Sequence, residues 1–185
     1  MSSAISIEDY DPRWAQRFES LRSRIALALG PLAAVIEHIG STAVPGLAAK
    51  PIIDLDVLLR SDTDLPLVIS KLELMGYRHR GDLGIPGREA FQAPPDEFPH
   101  HLYVCLPENL EFRRHLAFRN HLRAHPDDAH AYSSLKRDLA AKFEADREAY
   151  TQAKSAFVEQ ILYRAKHGSV DPDHGTFPVP KRTIP

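Results

Sequence analysis

Residues 37–57 have the sequence EHIGSTAVPGLAAKPIIDLDV, and this stretch decides which fold the chain is predicted to adopt. The apolar run 33–39 is typical of a β-strand, and it stops at a glycine and a serine, Gly40 and Ser41. A second apolar run, 52–59, is typical of another strand. The stretch therefore predicts two core strands joined by a loop, with polar residues where the strands end.

Two aspartates, Asp54 and Asp56, interrupt the second of these strands. Side chains two residues apart in a strand leave the same face, with Cα atoms roughly 6.6–6.8 Å apart. Burying two carboxylates among apolar residues is unfavourable unless a positive group neutralises them. Mg²⁺ suits this role because it takes oxygen ligands and often bridges protein carboxylates to substrate phosphates. The alternative is a structural ion pair between an aspartate and Lys50 or a helix arginine.

The turn before the loop, Gly40 and Ser41, favours the metal over the ion pair. Glycine lets backbone amides approach an anion closely, and serine adds a hydroxyl donor. We therefore expect Gly40 and Ser41 to bind phosphate oxygens, Asp54 and Asp56 to bind the metal, and Lys50 to add positive charge beside the phosphates. The alternative for the glycine-serine pair taken alone is a plain turn.

The rest of the chain divides into a sheet-rich part, residues 1–108, and a helical part, residues 109–168. In the first part the patterns predict helices at 12–30 and 64–75, and strands at 5–10, 77–80, 88–93 and 101–106. In the second part the helical period is broken at Pro126. We expect one domain over residues 1–170, followed by an extended or disordered proline-rich tail over residues 171–185.

The composition describes an ordinary globular protein: of 185 residues, 43% are apolar and 26% are charged, and the net charge is -2. The near-neutral charge argues against nucleic acid as a partner. The single cysteine, Cys105, excludes a disulfide framework within the chain and suits a reducing cytosol. No apolar run approaches the roughly 18–20 residues of a membrane span. We expect a cytoplasmic protein with no membrane partner; the oligomeric state is left open.

In the segment 38–56 the chain resembles the GrpB family of the nucleotidyltransferase-fold superfamily, whose signature is a glycine-serine turn followed by an Asp-x-Asp strand. The resemblance extends over about residues 5–166. The similar positions are residues 10–14, Phe18, 38–56, 118–126, Tyr132, Leu135, Lys136, Tyr150 and Lys154. The resemblance implies an α/β (α+β) fold, with a nucleotidyltransferase-like mixed β-sheet core flanked by helices and a helical C-terminal part.

Enzymes of the superfamily normally use a third carboxylate on a later strand, for metal binding or as the general base. The corresponding strand here has a histidine, His101, whose reference pKa of about 6.5 suits proton transfer. We therefore expect His101 to act with Asp54 and Asp56, although a histidine on a strand is also typical of a structural hydrogen bond. Glu89 could supply an acid from a neighbouring strand, or it could be an exposed glutamate.

Two pairs of residues at helical spacing are further candidates for phosphate binding. Arg119 and Arg123 are four apart, as are Tyr132 and Lys136, so each pair shares a helix face. We expect the two arginines and Lys136 at the rim of the cleft; a solvated helix surface is the alternative. The weaker candidates Arg88, Tyr150 and Lys154 are interpreted as solvated.

The glycine-serine turn, the two aspartates and the family resemblance lead us to expect one of two functions. The first is a Mg²⁺-dependent nucleotidyltransferase that moves a nucleotidyl group from a nucleoside triphosphate to a small acceptor. The second is a module that binds a nucleotide or another phosphorylated small molecule without turnover. Its ligand could be related to coenzyme A, because family members also occur fused to dephospho-coenzyme A kinase. A purely structural protein would leave Asp54, Asp56 and the glycine-serine turn unexplained.

Overall fold

A computed structural model describes residues 5–144 and 146–168, so the predicted tail over 171–185 lies outside the described residues. The described residues form five strands, five α-helices and three short 3₁₀-helices, Gly30–Leu32, Ser41–Ala43 and Asp62–Asp64. The strands are β1 (Ala33–Ile39), β2 (Ile53–Leu59), β3 (Arg78–His79), β4 (Arg88–Gln92) and β5 (His100–Cys105). The helices are α1 (Arg13–Leu29), α2 (Leu65–Leu74), α3 (Leu110–Ala124), α4 (Pro126–Phe143) and α5 (Arg147–His167).

The five strands form one mixed sheet in the order β1-β2-β5-β4-β3. The neighbours β2 and β5 are parallel, and the other three pairs are antiparallel. The two strands predicted from residues 33–39 and 52–59 are therefore adjacent, and β5 lies on the other side of β2. The predicted mixed sheet flanked by helices, with a helical C-terminal part, is confirmed.

One face of the sheet contacts α1 and α2 and forms the main core. Helix α1 begins after Asp11, whose carboxylate accepts the backbone N–H of Arg13 at 2.9 Å. Its apolar stripe packs on the inward side chains of β2, which leaves the other face of β2 to the C-terminal helices. The main buried residues of this core are Trp14, Phe18, Leu21, Ile25, Ile53, Leu55, Val57, Val68, Leu72, Leu102 and Val104.

A second apolar cluster joins the loop after β1 to the helical part of the chain. Val44 and Leu47 in this loop pack against Leu122 of α3, Tyr132 of α4 and Ile161 of α5. The loop is thus held between the sheet and the three C-terminal helices. This packing places the residues of the predicted site between a sheet face and a helical layer.

The predicted strand over residues 5–10 is wrong. Within residues 5–10, only Glu8 forms a β-bridge. Its partner is Ala49, and the two residues exchange backbone hydrogen bonds of 2.8 and 2.9 Å. Ala49 belongs to the loop between β1 and β2, which has no extended run of residues with which a strand could pair.

Among the described residues, no helix is both long and apolar enough to cross a membrane.

Candidate functional site

Asp54 and Asp56 point to the same face of β2, as their spacing predicts. The alternate residues Ile53, Leu55 and Val57 belong to the core under α1, so the two carboxylates lie on the face toward the C-terminal helices. The side chain of Asp54 is partly exposed, whereas that of Asp56 is fully buried. The two carboxylates therefore have different environments on one strand.

His101 contacts Asp54 because the parallel pairing of β2 and β5 sets these two residues opposite each other. The Nδ1 atom of His101 is 2.8 Å from Oδ1 of Asp54. An ionised carboxylate only accepts hydrogen bonds, so Nδ1 carries the proton and Nε2 is the atom able to accept another. The His101 side chain is 53% exposed, which leaves the ring accessible to a ligand.

His115 of α3, which the sequence did not single out, makes the equivalent contact with Asp56. Its Nδ1 atom is 2.7 Å from Oδ2 of Asp56. Oδ1 of Asp56 is buried and has no hydrogen-bond partner among the described residues. Burial raises the pKa of Asp56, and the hydrogen bond from His115 opposes this rise. A buried carboxylate oxygen without a donor has the chemistry of a cation ligand.

Gly40 lies against Asp54 at the end of β1. Its φ of 69° is in the left-handed region, and a Cβ atom at this position would lie 2.3 Å from Oδ2 of Asp54. Glycine is therefore required both by the backbone and by the neighbouring carboxylate. Ser41 follows, and it lies near Tyr132 of α4, where burial raises the pKa of the phenol and the neighbouring Ser41 side chain opposes this rise.

A cleft of about 570 Å³ lies over this face of the sheet. Its lining includes six residues that the sequence predicted: Gly40, Ser41, Lys50, Asp54, His101 and Lys136. Asp56 does not line the cleft directly but is hydrogen-bonded to His115, which does. The sheet, the loop after β1 and the helices α3, α4 and α5 all contribute walls.

Three lysines from three different segments line the same cleft: Lys50, Lys136 and Lys154. The ammonium groups of Lys50 and Lys154 lie 4.3 and 4.5 Å from the ring centre of Tyr150, on which both make cation–π contacts. Burial and the charge of Lys50 lower the pKa of Lys154 to about 8. Burial and the charge of Lys154 lower the pKa of Lys136 to about 7. The interpretation of Lys154 as a solvated residue is therefore wrong.

Lys136 was predicted to lie at the rim of the cleft, but it is buried in the wall. Only 2% of the residue is exposed, and its ammonium group donates to the backbone oxygen of Ala48. Lys136 thus holds the loop after β1 while contributing charge to the wall of the cleft.

Arg119 and Arg123 do not line the cleft, so their predicted position at its rim is corrected. Arg119 Nη1 donates to Glu37 Oε2 at 2.6 Å and to the backbone oxygen of His38 at 2.7 Å. Arg123 donates to the backbone oxygen of Ala43 through Nε at 2.9 Å and Nη2 at 2.7 Å. Both arginines connect α3 to the chain around the glycine-serine turn, and so they support the site without reaching into it.

Glu89 does not supply the third acid. It lies on β4 next to Arg88 and Ala90, which share the face of Asp54, so Glu89 points to the opposite face of the sheet. Its Oε2 atom is 2.6 Å from Nε2 of His79.

Within residues 5–144 and 146–168, no three His, Cys, Asp or Glu side chains are arranged to hold a metal ion by themselves.

The sequence matches the family model described as GrpB protein over residues 4–164. The chain belongs to the GrpB family. A GrpB structure from Enterococcus faecalis has a TM-score of 0.80 at 35% identity, and the match covers 86% of this chain and 96% of that chain. The resemblance predicted from the residues around the glycine-serine turn is therefore confirmed.

The relatives that match the chain differ from it in length. The protein YqkA of Bacillus subtilis is 37% identical over 85% of this chain, which spans only 46% of that relative. The protein PA4798 of Pseudomonas aeruginosa is 41% identical, with 87% of this chain and 67% of the relative covered. A dephospho-CoA kinase of Mycolicibacterium paratuberculosis is 23% identical over 84% of this chain and 44% of its own length.

The fold of this GrpB family member is also similar to that of two RNA terminal uridylyl transferase structures. A cytoplasmic RNA terminal U-transferase has a TM-score of 0.51 at 15% identity, and the match covers 70% of this chain and 41% of that chain. A Cid1 structure has a TM-score of 0.51 at 18% identity, with 73% and 43% covered. At these identities the likeness concerns the fold alone, and it agrees with the predicted nucleotidyltransferase-like architecture.

Proposed function

We propose that the cleft binds a nucleoside triphosphate with Mg²⁺ and transfers its nucleotidyl group to a small acceptor. The observation that carries this proposal is the presence of two unlike groups at one cleft. One is Asp54, which lines the cleft, together with Asp56, which lies behind the lining on the same face of β2 and has a buried oxygen without a donor among the described residues. The other is the lysine cluster formed by Lys50, Lys136 and Lys154. A metal-bound polyphosphate is the ligand whose charges complement both groups.

The carboxylates fit Mg²⁺ better than a metal that needs a complete protein cage. Mg²⁺ is usually held by one or two carboxylates together with water and substrate phosphates. Asp54 and Asp56 supply that number of carboxylates, and Oδ1 of Asp56 is left without a donor by the described residues. When bound, the metal would neutralise charge on the triphosphate and on the reacting phosphorus.

The lysine cluster is the candidate site for the phosphate chain. Lys154 lies close enough to both Lys50 and Lys136 for their charges to repel, which is one reason for the lowered pKa values of Lys136 and Lys154. An anion between them removes this repulsion and favours the charged form of each amine. Lys136 is buried and Lys154 is partly buried, so water screens their charges less than it would on an open surface.

His101 is placed to accept the proton in the transfer step. The acceptor hydroxyl attacks the α-phosphorus, a new oxygen–phosphorus bond forms, and the bond to the bridging oxygen breaks as pyrophosphate leaves. The hydroxyl proton passes to Nε2 of His101, while Asp54 holds the ring through Nδ1 and stabilises the imidazolium that forms. This role replaces that of the third carboxylate in superfamily enzymes.

Binding without turnover is the second candidate function, and the identity of His101 favours it. A histidine stands opposite Asp54 where the superfamily pattern has an acid. The Mycolicibacterium relative described as a dephospho-CoA kinase makes a phosphorylated ligand related to coenzyme A a specific choice to test.

Calorimetric titration with ATP, GTP, CTP, UTP and coenzyme A precursors, with and without Mg²⁺, tests both candidates. We expect at least one of these ligands to bind in a Mg²⁺-dependent manner. The double variant Asp54→Asn with Asp56→Asn should lose this dependence. Glu89→Gln, the same chemical change on the opposite face of the sheet, should keep it. If the double variant binds like the original chain, both functions are wrong. If the double variant loses the Mg²⁺-dependent binding, pyrophosphate release with a metabolite mixture separates an enzyme from a protein that only binds.

A further inference from the structure

A second groove, of about 540 Å³, adjoins the cleft on the side of β4. The two cavities share three lining residues, Ile52, His101 and Tyr103. His101 therefore forms part of the boundary between them, and its half-exposed ring can be reached from either side. A proton acceptor between two cavities suits a reaction in which the two substrates bind on opposite sides of it.

The strand register explains why His101 has this position. Asp54 of β2 pairs with His101 of β5, and His101 pairs with Gln92 of β4. Adjacent strands are about 4.7–4.9 Å apart, so the three residues form a row across one face of the sheet with the histidine in the middle. Asp54 belongs to the cleft and Gln92 to the groove.

Hydrogen-bond donors dominate the polar side chains of the groove near this row. Arg80 Nη1 donates to Oε1 of Gln92 at 3.1 Å, which uses one of the two lone pairs of this oxygen and leaves the N–H donors of the amide for a ligand. The acidic residue in the lining, Glu97, is paired with Arg24 through one oxygen only: Nη2 of Arg24 is 2.5 Å from Oε1, whereas Oε2 is buried without a hydrogen-bond partner among the described residues. A guanidinium and an amide that offers donors suit an oxyanion.

We propose that this groove binds the acceptor of the transfer reaction, and that the acceptor is a small hydroxyl compound carrying an oxyanion. Its carboxylate or phosphate lies against Arg80 and Gln92, and its hydroxyl lies at His101. The carbon skeleton contacts the apolar residues of the groove, such as Leu83 and Pro94. The role as acceptor site rests on the function proposed above, whereas the oxyanion site itself depends only on the groove.

Binding is tested on the nucleotide-free protein with three probes that share a three-carbon skeleton: glycerate, glycerol 3-phosphate and glycerol. In ¹H–¹⁵N spectra we expect at least one of the two anions to shift the Gln92 side-chain amide and the His101 ring signals, and glycerol to leave both unchanged. Arg80→Gln should weaken the anion titration about tenfold, since it removes a charge-assisted hydrogen bond. Arg22→Gln, an exposed arginine of α1, is the matched control and should have no effect.

The second measurement is pyrophosphate release with a Mg²⁺-bound nucleotide and the same three probes. We expect Arg80→Gln to raise the KM for the anionic acceptor about tenfold while nucleotide affinity stays unchanged. If nucleotides bind with Mg²⁺ but neither anion shifts His101 or Gln92, the groove assignment is wrong and the proposed function stands. If an anion binds in the groove but no nucleotide binds in the cleft, the proposed function is wrong and the groove is not an acceptor site.

Discussion

A Cβ atom on Gly40 would lie 2.3 Å from Oδ2 of Asp54, so the carboxylate occupies the space that any other residue at position 40 would fill. The glycine was expected to let backbone amides approach a phosphate. Its observed contact is with the aspartate that is the candidate metal ligand. The glycine-serine turn and the Asp-x-Asp strand are therefore coupled sterically, because the turn sets the space available to Asp54.

Gly40→Ala should disturb Asp54 and with it the binding of Mg²⁺ and nucleotide. Moving the carboxylate away from the new methyl group breaks the hydrogen bond to His101, which costs about 1–2 kcal/mol beyond the cost of alanine at positive φ. Gly46→Ala is the control, because Gly46 has a φ of 79° and nothing within 4 Å of a Cβ atom. Equal losses of unfolding free energy in the two variants, measured in urea, would contradict the coupling.

Asp56→Asn should stabilise the nucleotide-free protein while removing Mg²⁺-dependent binding. The buried carboxylate of Asp56 has one oxygen without a donor, and a neutral amide is less unfavourable in the same place. The Asn side-chain oxygen can still accept from Nδ1 of His115. We expect the free energy of unfolding to rise by about 1 kcal/mol. A loss of stability in urea unfolding would show that the existing residues already satisfy this charge.

Local sequence patterns predicted the elements that carry the site with good accuracy. The strand expected at 33–39 is β1, and the one expected at 52–59 begins one residue later. Both segments are mainly apolar, and each ends at a residue that favours a turn or is polar, Gly40 or Arg60, which left little freedom in these assignments. The strand expected at 5–10 failed because β-pairing depends on a partner, and this segment lies beside a loop.

The site residues on strands were easier to predict than those on helices. The shared face of Asp54 and Asp56 follows from a period of two, and the position of His101 follows once β5 pairs with β2. Helical spacing shows that Arg119 and Arg123 share a face but not what that face contacts. The packing of α3 on the glycine-serine turn decides this, and it arises from contacts between distant parts of the chain. The same limit explains why His115 was missed.

In the original chain the free energy of unfolding should decrease at acidic pH partly because of His38, and His38→Phe should make this decrease smaller. His38 is buried, stacks on Phe18 with ring centres 4.6 Å apart, and has a pKa lowered by burial to about 4 from 6.5. The unfolded chain therefore binds the extra proton between these two pH values, so stability falls as the pH falls through 6.5 and levels off below about 4. This group contributes at most about 3 kcal/mol of that fall.

The His38→Phe variant keeps the ring stacking but cannot titrate, so the comparison uses the pH dependence and not the absolute stability. Urea unfolding at a series of pH values should give a smaller acid-induced decrease for the variant than for the original chain. Parallel curves over the whole range would show that His38 accepts a proton in the folded state as readily as in the unfolded state.

Arg119→Met and Lys154→Met should separate structural cations from ligand-binding cations. The buried Arg119 neutralises Glu37 and satisfies the backbone oxygen of His38, so its loss should lower the free energy of unfolding by about 3 kcal/mol. Lys154 repels its neighbours Lys50 and Lys136, which offsets its cation–π contact with Tyr150, so its loss should change the free energy of unfolding by less than about 1 kcal/mol. Its loss should instead weaken Mg²⁺–nucleotide binding about tenfold, because one charge-assisted contact with phosphate disappears. Urea unfolding and calorimetric titration of both variants measure the two effects independently. If Lys154→Met destabilises the chain and leaves binding intact, the lysine cluster is a structural feature and not the phosphate site.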